Sequence, residues 1–133
     1  MAVDAVWHNN EQTIIHFRFR YPWTVEQFLD LNAEVGAEIA LLPHIVDAIF
    51  DFTDALTIPP EAVKGFRRAA HLSVGAPNQG ISVMFGNRML PLVVKVVRVV
   101  VPGIEDQVFV VEDMEQALAK VHEVQASRTY EST

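Results

Sequence analysis

The chain contains no cysteine among its 133 residues. This absence excludes disulfide bridges, thiolate zinc sites and cysteine nucleophiles, and it is typical of proteins kept in a reducing compartment. The first ten residues have no basic start followed by an apolar run, so they predict no secretory signal peptide and a cytoplasmic protein. The most apolar segment, 89–101, contains Lys95 and Arg98. It is shorter than the roughly 20 residues that cross a bilayer, which predicts no membrane span.

Basic residues are scarce and unevenly distributed. The chain has 10 Lys and Arg against 17 Asp and Glu, which gives a net charge of −7. Six of the cations lie between Lys64 and Arg98, a segment without any acid. A mostly acidic chain is a poor nucleic-acid binder, so we predict no nucleic-acid partner. The cationic segment forms either a solvated face or a basic face toward an anionic partner.

The length predicts one domain. We place it at 1–125 and expect a disordered polar tail at 126–133. A chain of this size buries roughly two-thirds of its unfolded surface, so it needs neither a disulfide nor a metal to fold.

The first part of the chain predicts two strands and a helix. Apolar alternation indicates strands at 2–7 and 13–20, joined as a hairpin. Thr24 and Gln27 form a capping-box pattern at the start of a helix, which ends at Pro43.

The second part alternates strands and helices. Apolar runs predict buried strands at 45–53, 80–85 and 107–111. The Pro59-Pro60 pair predicts the start of the second helix, and Asp113 is the predicted cap of the last one.

The sequence LVVKVVRVVV, Leu92–Val101, requires a choice between strand and helix. Its valines favour a strand. Lys95 and Arg98 are three apart, however, so they share a face only on a helix. Asn87 and Pro91 are also good helix starts, so we predict a helix. Because it is apolar around most of its circumference, it is either deeply buried or part of a homodimer interface through Leu92–Val101.

The predicted order is β-β-α-β-α-β-α-β-α. Alternating strands and helices indicate parallel pairing through right-handed crossovers, and the initial hairpin adds an antiparallel strand at or near an edge. The chain is therefore predicted to be a single-domain α/β protein, with a mixed sheet of about five strands and four helices.

Polar side chains gather where the central strand ends. Asp51, Thr53 and Asp54 follow the apolar run, and Glu61 lies at the predicted helix start. The end of a strand beside a helix start is a usual place for a site in α/β proteins. Three carboxylates there are candidates for holding Mg²⁺ or taking a phosphoryl group, but the phosphate-binding motifs that accompany such chemistry are missing. The alternative is that the aspartates accept backbone amides in the turn.

The histidines indicate no metal site. They stand at positions 8, 16, 44, 71 and 122, and none forms a ligand pair at helical spacing. We predict that each is a surface or turn residue.

The element order and the segment Asp51-Phe52-Thr53-Asp54 resemble the STAS domain, which is named for sulfate transporters and anti-sigma factor antagonists. In that family an Asp-Leu-Ser-Gly-like segment ends the central strand. An Asp-Ser-Ser-Gly segment then starts the next helix, and its second serine is phosphorylated by a partner kinase. The resemblance covers residues 4–125. Small stand-alone bacterial STAS-like proteins also share the motifs found here as Pro77-Asn78, Gly86-Asn87-Arg88 and 113–118.

This chain departs from the STAS pattern at the phosphate acceptor. Pro59-Pro60-Glu61-Ala62 occupies the second segment, so Glu61 stands where the serine would be. A hydroxyl gains about −1.5 to −2 charge on phosphorylation, whereas a glutamate stays near −1. Glu61 is therefore either an ordinary helix-start residue or a fixed partial mimic of the phosphorylated state.

By this resemblance, the chain is expected to be a non-catalytic regulatory module with no cofactor and no bound metal. Its partner would be a regulatory protein, such as a kinase or a regulator of a sigma factor. The residues expected to meet that partner are Asp51, Thr53, Asp54, Thr57, Glu61, Lys64, Arg67 and Arg68. The alternative function is a carrier or sensor of an apolar small molecule, such as a lipid, held between the third helix and the sheet in a cavity of a few hundred Å³.

Overall fold

A five-stranded sheet runs through the centre of the molecule. The computed structural model describes residues 2–73, 78–101, 103–104 and 106–131, apart from the side chains of 71–73, 100 and 129–131. The elements are β1 (Val3–Trp7), β2 (Ile14–Arg20), α1 (Val25–Ala40), β3 (Val46–Asp54), α2 (Ala62–Ser73), β4 (Gln79–Phe85), α3 (Leu90–Val100), β5 (Val108–Val110) and α4 (Met114–Glu131).

The strands follow the order β1-β2-β3-β4-β5 across the sheet. β1 pairs with β2 in antiparallel fashion, and all other neighbours are parallel. The prediction of an α/β fold with a mixed five-stranded sheet and four helices is therefore confirmed. The antiparallel strand lies at an edge, as expected for a hairpin that precedes the first crossover.

The two faces of the sheet are covered differently. Helices α1, α2 and α3 pack on one face over a large core that includes seven aromatic rings, namely Phe17, Phe19, Trp23, Phe28, Phe50, Phe52 and Phe66. Helix α4 covers only part of the other face, over a smaller cluster that includes Ile49, Val83 and Val121. The β1–β2 side of that second face therefore carries polar residues.

Local signals in the sequence place two of the helices. The Thr24 hydroxyl accepts the Gln27 amide at 3.1 Å, and the Gln27 side chain accepts the Thr24 amide at 3.0 Å, so the predicted capping box is confirmed. The valine-rich segment forms α3. Its inner side is buried and its outer side, including Leu92 and Val99, is exposed.

The predicted disordered tail is wrong for residues 126–131, because α4 continues to Glu131. Arg128, in the last turns of that helix, donates to both carboxylate oxygens of the fully buried Asp47 at 2.7 and 2.8 Å. A buried carboxylate requires such a partner, and this ion pair attaches the end of α4 to the sheet. Residues 132–133 lie outside the described part of the chain.

Two further expectations concern a membrane span and the start of the second helix. No helix of the described residues is long and apolar enough to cross a membrane. The second helix begins at Ala62, two residues after the Pro59-Pro60 pair that predicted it, and the Pro59 carbonyl accepts the Ala62 amide at 2.9 Å.

Candidate functional site at the carboxyl edge of the sheet

Asp51 lies on the sheet face that α4 covers in part. Its Oδ1 accepts the Thr53 amide at 2.9 Å, which is the turn role weighed from the sequence. Its Oδ2 lies 3.6 Å from Nε2 of His16 in the neighbouring strand, beyond ordinary hydrogen-bond distance. That nitrogen is buried and has no hydrogen-bond partner within the described ranges. Burial lowers the pKa of His16, and the nearby Asp51 carboxylate opposes this shift only in part.

A cluster of opposite charges lies next to this pair. The carboxylate of Asp4 in β1 accepts hydrogen bonds from Nε of Arg18 at 2.8 Å and from Nη1 of Arg20 at 2.5 Å. Burial raises the pKa of Asp4, but the two guanidinium groups outweigh it and hold that pKa below 3.8. Arg18 is also the register neighbour of Asp51 on β3. The polar face therefore brings Asp51 together with side chains that the sequence analysis did not single out.

The sequence contained a partial signal for this cluster. In β2, apolar side chains alternate with His16, Arg18 and Arg20, so the sequence predicts these three on the face opposite the core. The sequence did not predict that α4 leaves that part of the sheet uncovered. The prediction of His16 as a surface or turn residue is wrong, because its side chain is largely buried within a strand.

The loop between β3 and α2, residues 55–61, has an unusual backbone at Leu56. Its φ is +62°, a left-handed conformation that leucine rarely adopts, and the Thr57 amide donates to the Ala55 carbonyl at 2.7 Å. These features describe a γ-turn centred on Leu56, a strained type of turn. The Leu56 side chain is 71% exposed, whereas Ala55 is fully buried. The loop therefore presents an apolar side chain to solvent from a strained backbone.

Neighbouring elements hold this loop in place. The Trp23 indole nitrogen donates to the Thr57 carbonyl at 3.2 Å, and the Asn87 side chain donates to the Leu56 carbonyl at 3.5 Å. Gly86 lies against the end of β3, where a Cβ atom would approach the Thr53 amide nitrogen to 2.5 Å. The φ of Gly86, +103°, also requires glycine. The loop is thus attached on both sides of the strained turn.

Glu61 lies where the STAS resemblance placed it, at the beginning of α2. It immediately precedes Ala62, its side chain is exposed, and its carbonyl accepts the Gly65 amide at 3.1 Å. Lys64, Arg67 and Arg68 follow on the exposed side of the same helix. The acid and the three cations therefore belong to one continuous helical surface next to the loop.

The three carboxylates considered for Mg²⁺ do not come together. In the described part of the chain, no group of three or more His, Cys, Asp or Glu side chains is arranged to hold a metal ion. The Asp51 carboxylate is occupied within its own strand instead, where its Oδ1 accepts the Thr53 amide. Asp51 is turned toward His16, whereas Glu61 lies beyond the loop.

A cavity of about 90 Å³ lies beneath the three helices of the large core, among side chains that include Val35, Phe50 and Val97. Pockets that hold drug-sized ligands measure roughly 300–1,000 Å³. This enclosed cavity is therefore too small for such a ligand, whereas an open groove of about 770 Å³ between α3 and β5, lined in part by Lys95, Arg98 and Phe109, falls in that range. The small-molecule carrier therefore stays a prediction.

The motifs shared with stand-alone STAS-like proteins have structural roles here. The Asn78 side chain donates to the Ile39 carbonyl and, at 3.4 Å, to the Leu42 carbonyl, so it caps the C-terminus of α1. The Asn87 side chain accepts the Met89 amide at 2.8 Å just before α3. Asp113 caps α4 by accepting the Gln116 amide at 2.9 Å, as predicted. Pro77 lies outside the described residues.

No protein-family model, no curated protein and no solved structure matches this chain. The STAS resemblance therefore stays a prediction.

Proposed function

We propose that the chain is a non-catalytic interaction module that binds a regulatory protein through the β3–α2 loop and the adjoining surface of α2. The partner class, a kinase or a regulator of a sigma factor, follows from the STAS resemblance alone. The chemistry expected of the partner is an apolar pocket for Leu56 beside acidic groups for the cations of α2.

The observation that carries this proposal is the conformation of Leu56. A leucine at positive φ costs the folded state free energy, and its exposed side chain recovers none of that cost by burial. Strained residues that persist are concentrated at binding and catalytic positions. The hydrogen bonds from Trp23 and Asn87 hold the loop in one shape before any partner arrives, which reduces the entropy lost on binding.

The cations of α2 supply the second part of the surface. Lys64, Arg67 and Arg68 are exposed, and they form no ion pair with any residue in the described ranges. Exposed charges at the rim of an interface act mainly on association rate and specificity. Leu56 would then provide the affinity, while the cations would orient an acidic partner.

Glu61 would act as a permanent charge in this surface. It stands beside the N-terminus of α2, where the helix dipole favours a negative group. In place of a serine that a kinase switches, the chain would keep a constant negative charge between Leu56 and the cations. The module would therefore bind its partner without a phosphorylation cycle at this position.

The test is affinity capture with purified wild type and three variants as bait. We expect a partner that binds wild type to be lost with Leu56→Gly. The same partner should bind Arg67→Glu more weakly than wild type at low salt, where charges are least screened. Leu41→Gly is the matched control, because Leu41 is an exposed leucine at the end of α1, away from this loop. Equal binding by the Leu56→Gly and wild-type proteins would contradict the proposal.

A further inference from the structure

Helix α3 carries an apolar stripe on its outer side. The side chains of Leu92 and Val99 are 56% and 78% exposed, and those of Met89 and Val96 are also exposed. Spacings of three, four and three residues place all four on one side of a helix. These four are a large share of the exposed large apolar side chains in the part of the chain that the structure describes. They are concentrated on one surface rather than scattered singly.

Cations border this stripe on two sides. Lys64, Arg67 and Arg68 lie on the outer side of α2, which packs beside α3 on the same face of the sheet. Arg88 is exposed in the turn just before α3, and Lys95 is exposed in the middle of that helix. These five cations and the four apolar side chains of α3 form what we call the α2–α3 face.

The charge of this face is opposite to that of the rest of the molecule. The segment 64–98 has six cations and none of the chain's 17 acids, although the net charge is −7. A negatively charged surface would attract this face and repel the remainder, so it would orient the protein at a distance. The separation of charge therefore selects an anionic occupant.

We propose that the α2–α3 face binds peripherally to membrane surfaces that contain anionic phospholipids. The aliphatic side chains of the stripe enter the boundary between headgroups and acyl chains, and the surrounding Lys and Arg side chains remain among the phosphates. Each cation near such a surface strengthens the association about five-fold, and the effect decreases within a Debye length. This binding does not rest on the proposed function. Because Lys64, Arg67 and Arg68 also belong to the proposed protein-binding surface, a membrane and a protein partner would compete for these cations.

Two other occupants fit the face less well. A second copy of the chain would bring Arg88 and Lys95 against the same cations of its partner, because a two-fold interface pairs a surface with itself. An aliphatic stripe bordered by Lys and Arg is typical of helices that lie in a membrane interface, which favours lipid over protein as the occupant of the α3 stripe. The homodimer predicted through Leu92–Val101 is therefore the less favoured use of this helix.

The experiment is sedimentation of the purified full chain with vesicles. One set contains phosphatidylcholine alone, and the other contains phosphatidylcholine mixed with phosphatidylglycerol. We expect the protein to sediment with the mixed vesicles and to dissociate from them at high salt. It should not bind the neutral vesicles. Absence of binding to the mixed vesicles at low salt would overturn the proposal.

Matched variants locate the contact. Leu92→Gln should reduce binding to the mixed vesicles several-fold, whereas Leu41→Gln, at an exposed leucine elsewhere, should not change it. Lys95→Gln should weaken binding about five-fold, and Arg18→Gln on β2 should have little effect, because Arg18 lies in the polar cluster on the other face of the sheet. Equal effects of the two leucine variants, or of the Lys95→Gln and Arg18→Gln variants, would show that the contact lies elsewhere and would overturn the proposal.

Sedimentation equilibrium without lipid tests whether the apolar stripe of α3 mediates self-association instead. We expect a monomer whose mass does not change in Leu92→Gln. A wild-type dimer that dissociates in this variant would assign the stripe to self-association and would overturn membrane binding. Leu56→Gly should keep full vesicle binding, which distinguishes failure of this proposal from failure of the proposed protein interaction.

Discussion

Arg128 donates two hydrogen bonds to Asp47 across 81 positions of the chain, from the last turns of α4 to the beginning of β3. Asp47 is fully buried and also accepts the Ile81 amide at 2.8 Å and the Gln125 side chain at 3.1 Å. The bonds to Asp47 raise the pKa of Arg128, so the guanidinium stays charged. This pair joins the end of the chain to the centre of the sheet.

Replacing Arg128 is therefore expected to destabilise the protein strongly. Arg128→Met leaves a buried carboxylate without its counter-ion, which costs about 3–5 kcal/mol. Urea unfolding followed by circular dichroism measures the loss. Arg68→Met removes an exposed cation and should change the free energy of unfolding by less than about 0.5 kcal/mol. Equal stability of both variants would mean that the end of α4 does not dock on the sheet.

Gly80 is expected to be required for a stable fold because it lies against the Asp47–Arg128 pair. A Cβ atom at this position would come within 2.0 Å of the Asp47 carboxylate. Gly80→Ala should therefore lower the free energy of unfolding by about 2 kcal/mol or more. Gly36→Ala is the control, since a Cβ there meets its nearest neighbour at 3.7 Å, inside a helix. That variant should be up to about 1 kcal/mol more stable than wild type, because alanine favours helices.

The stability of the protein should fall as the pH drops below 6.5, the ordinary pKa of histidine. Burial lowers the pKa of His16 in the folded state, so the unfolded chain binds the proton first as the pH falls. Proton binding then stabilises the unfolded state relative to the folded one. His16→Gln should remove this part of the pH dependence, measured as the free energy of unfolding at several pH values.

The Asp51 carboxylate is expected to limit that shift. Because Asp51 favours the protonated imidazole, Asp51→Asn should lower the pKa of His16 further, as NMR titration of the imidazole would show. A His16 pKa above 6.5 in either protein would contradict the arrangement seen here.

Leu56→Gly should make the protein more stable while it removes the side chain proposed to bind a partner. The left-handed conformation costs a leucine about 1–2 kcal/mol, whereas glycine loses about 0.5–1 kcal/mol of chain entropy. The expected net gain is about 0.5–1 kcal/mol in urea unfolding. Leu41→Gly, at a residue with φ −84°, should instead be less stable. A Leu56→Gly protein less stable than wild type would argue that the turn is not strained.

Two valines of α3 should respond differently to the same substitution. Val97 is buried against the large core, so Val97→Ala should cost about 2 kcal/mol. Val99 lies two residues later on the outer side, and Val99→Ala should change stability by less than about 0.5 kcal/mol. Equal losses at the two positions would contradict the helical placement of this segment.

Sequence reasoning predicted most of the fold because the deciding signals are local. The spacing of Lys95 and Arg98 distinguished a helix from a strand in a valine-rich run, and Thr24 with Gln27 identified the start of α1. Sequence reasoning also predicted Glu61 at a helix start, because the Pro59-Pro60 pair is a local signal. It predicted a disordered tail at 126–133, wrongly for 126–131, because the polar composition there contains no trace of a distant partner.

By itself, the sequence determined the alternation of strands and helices, the two sides of α3 and the concentration of cations between 64 and 98. The first two depend on residues within a few positions of one another, and the third depends on composition alone. Only the tertiary structure decided that Arg128 meets Asp47, that His16 is buried beside Asp51 and that Leu56 adopts a positive φ. The physical reason is that these features arise from packing between segments far apart in the chain, and periodicity carries no information about which distant segments come into contact.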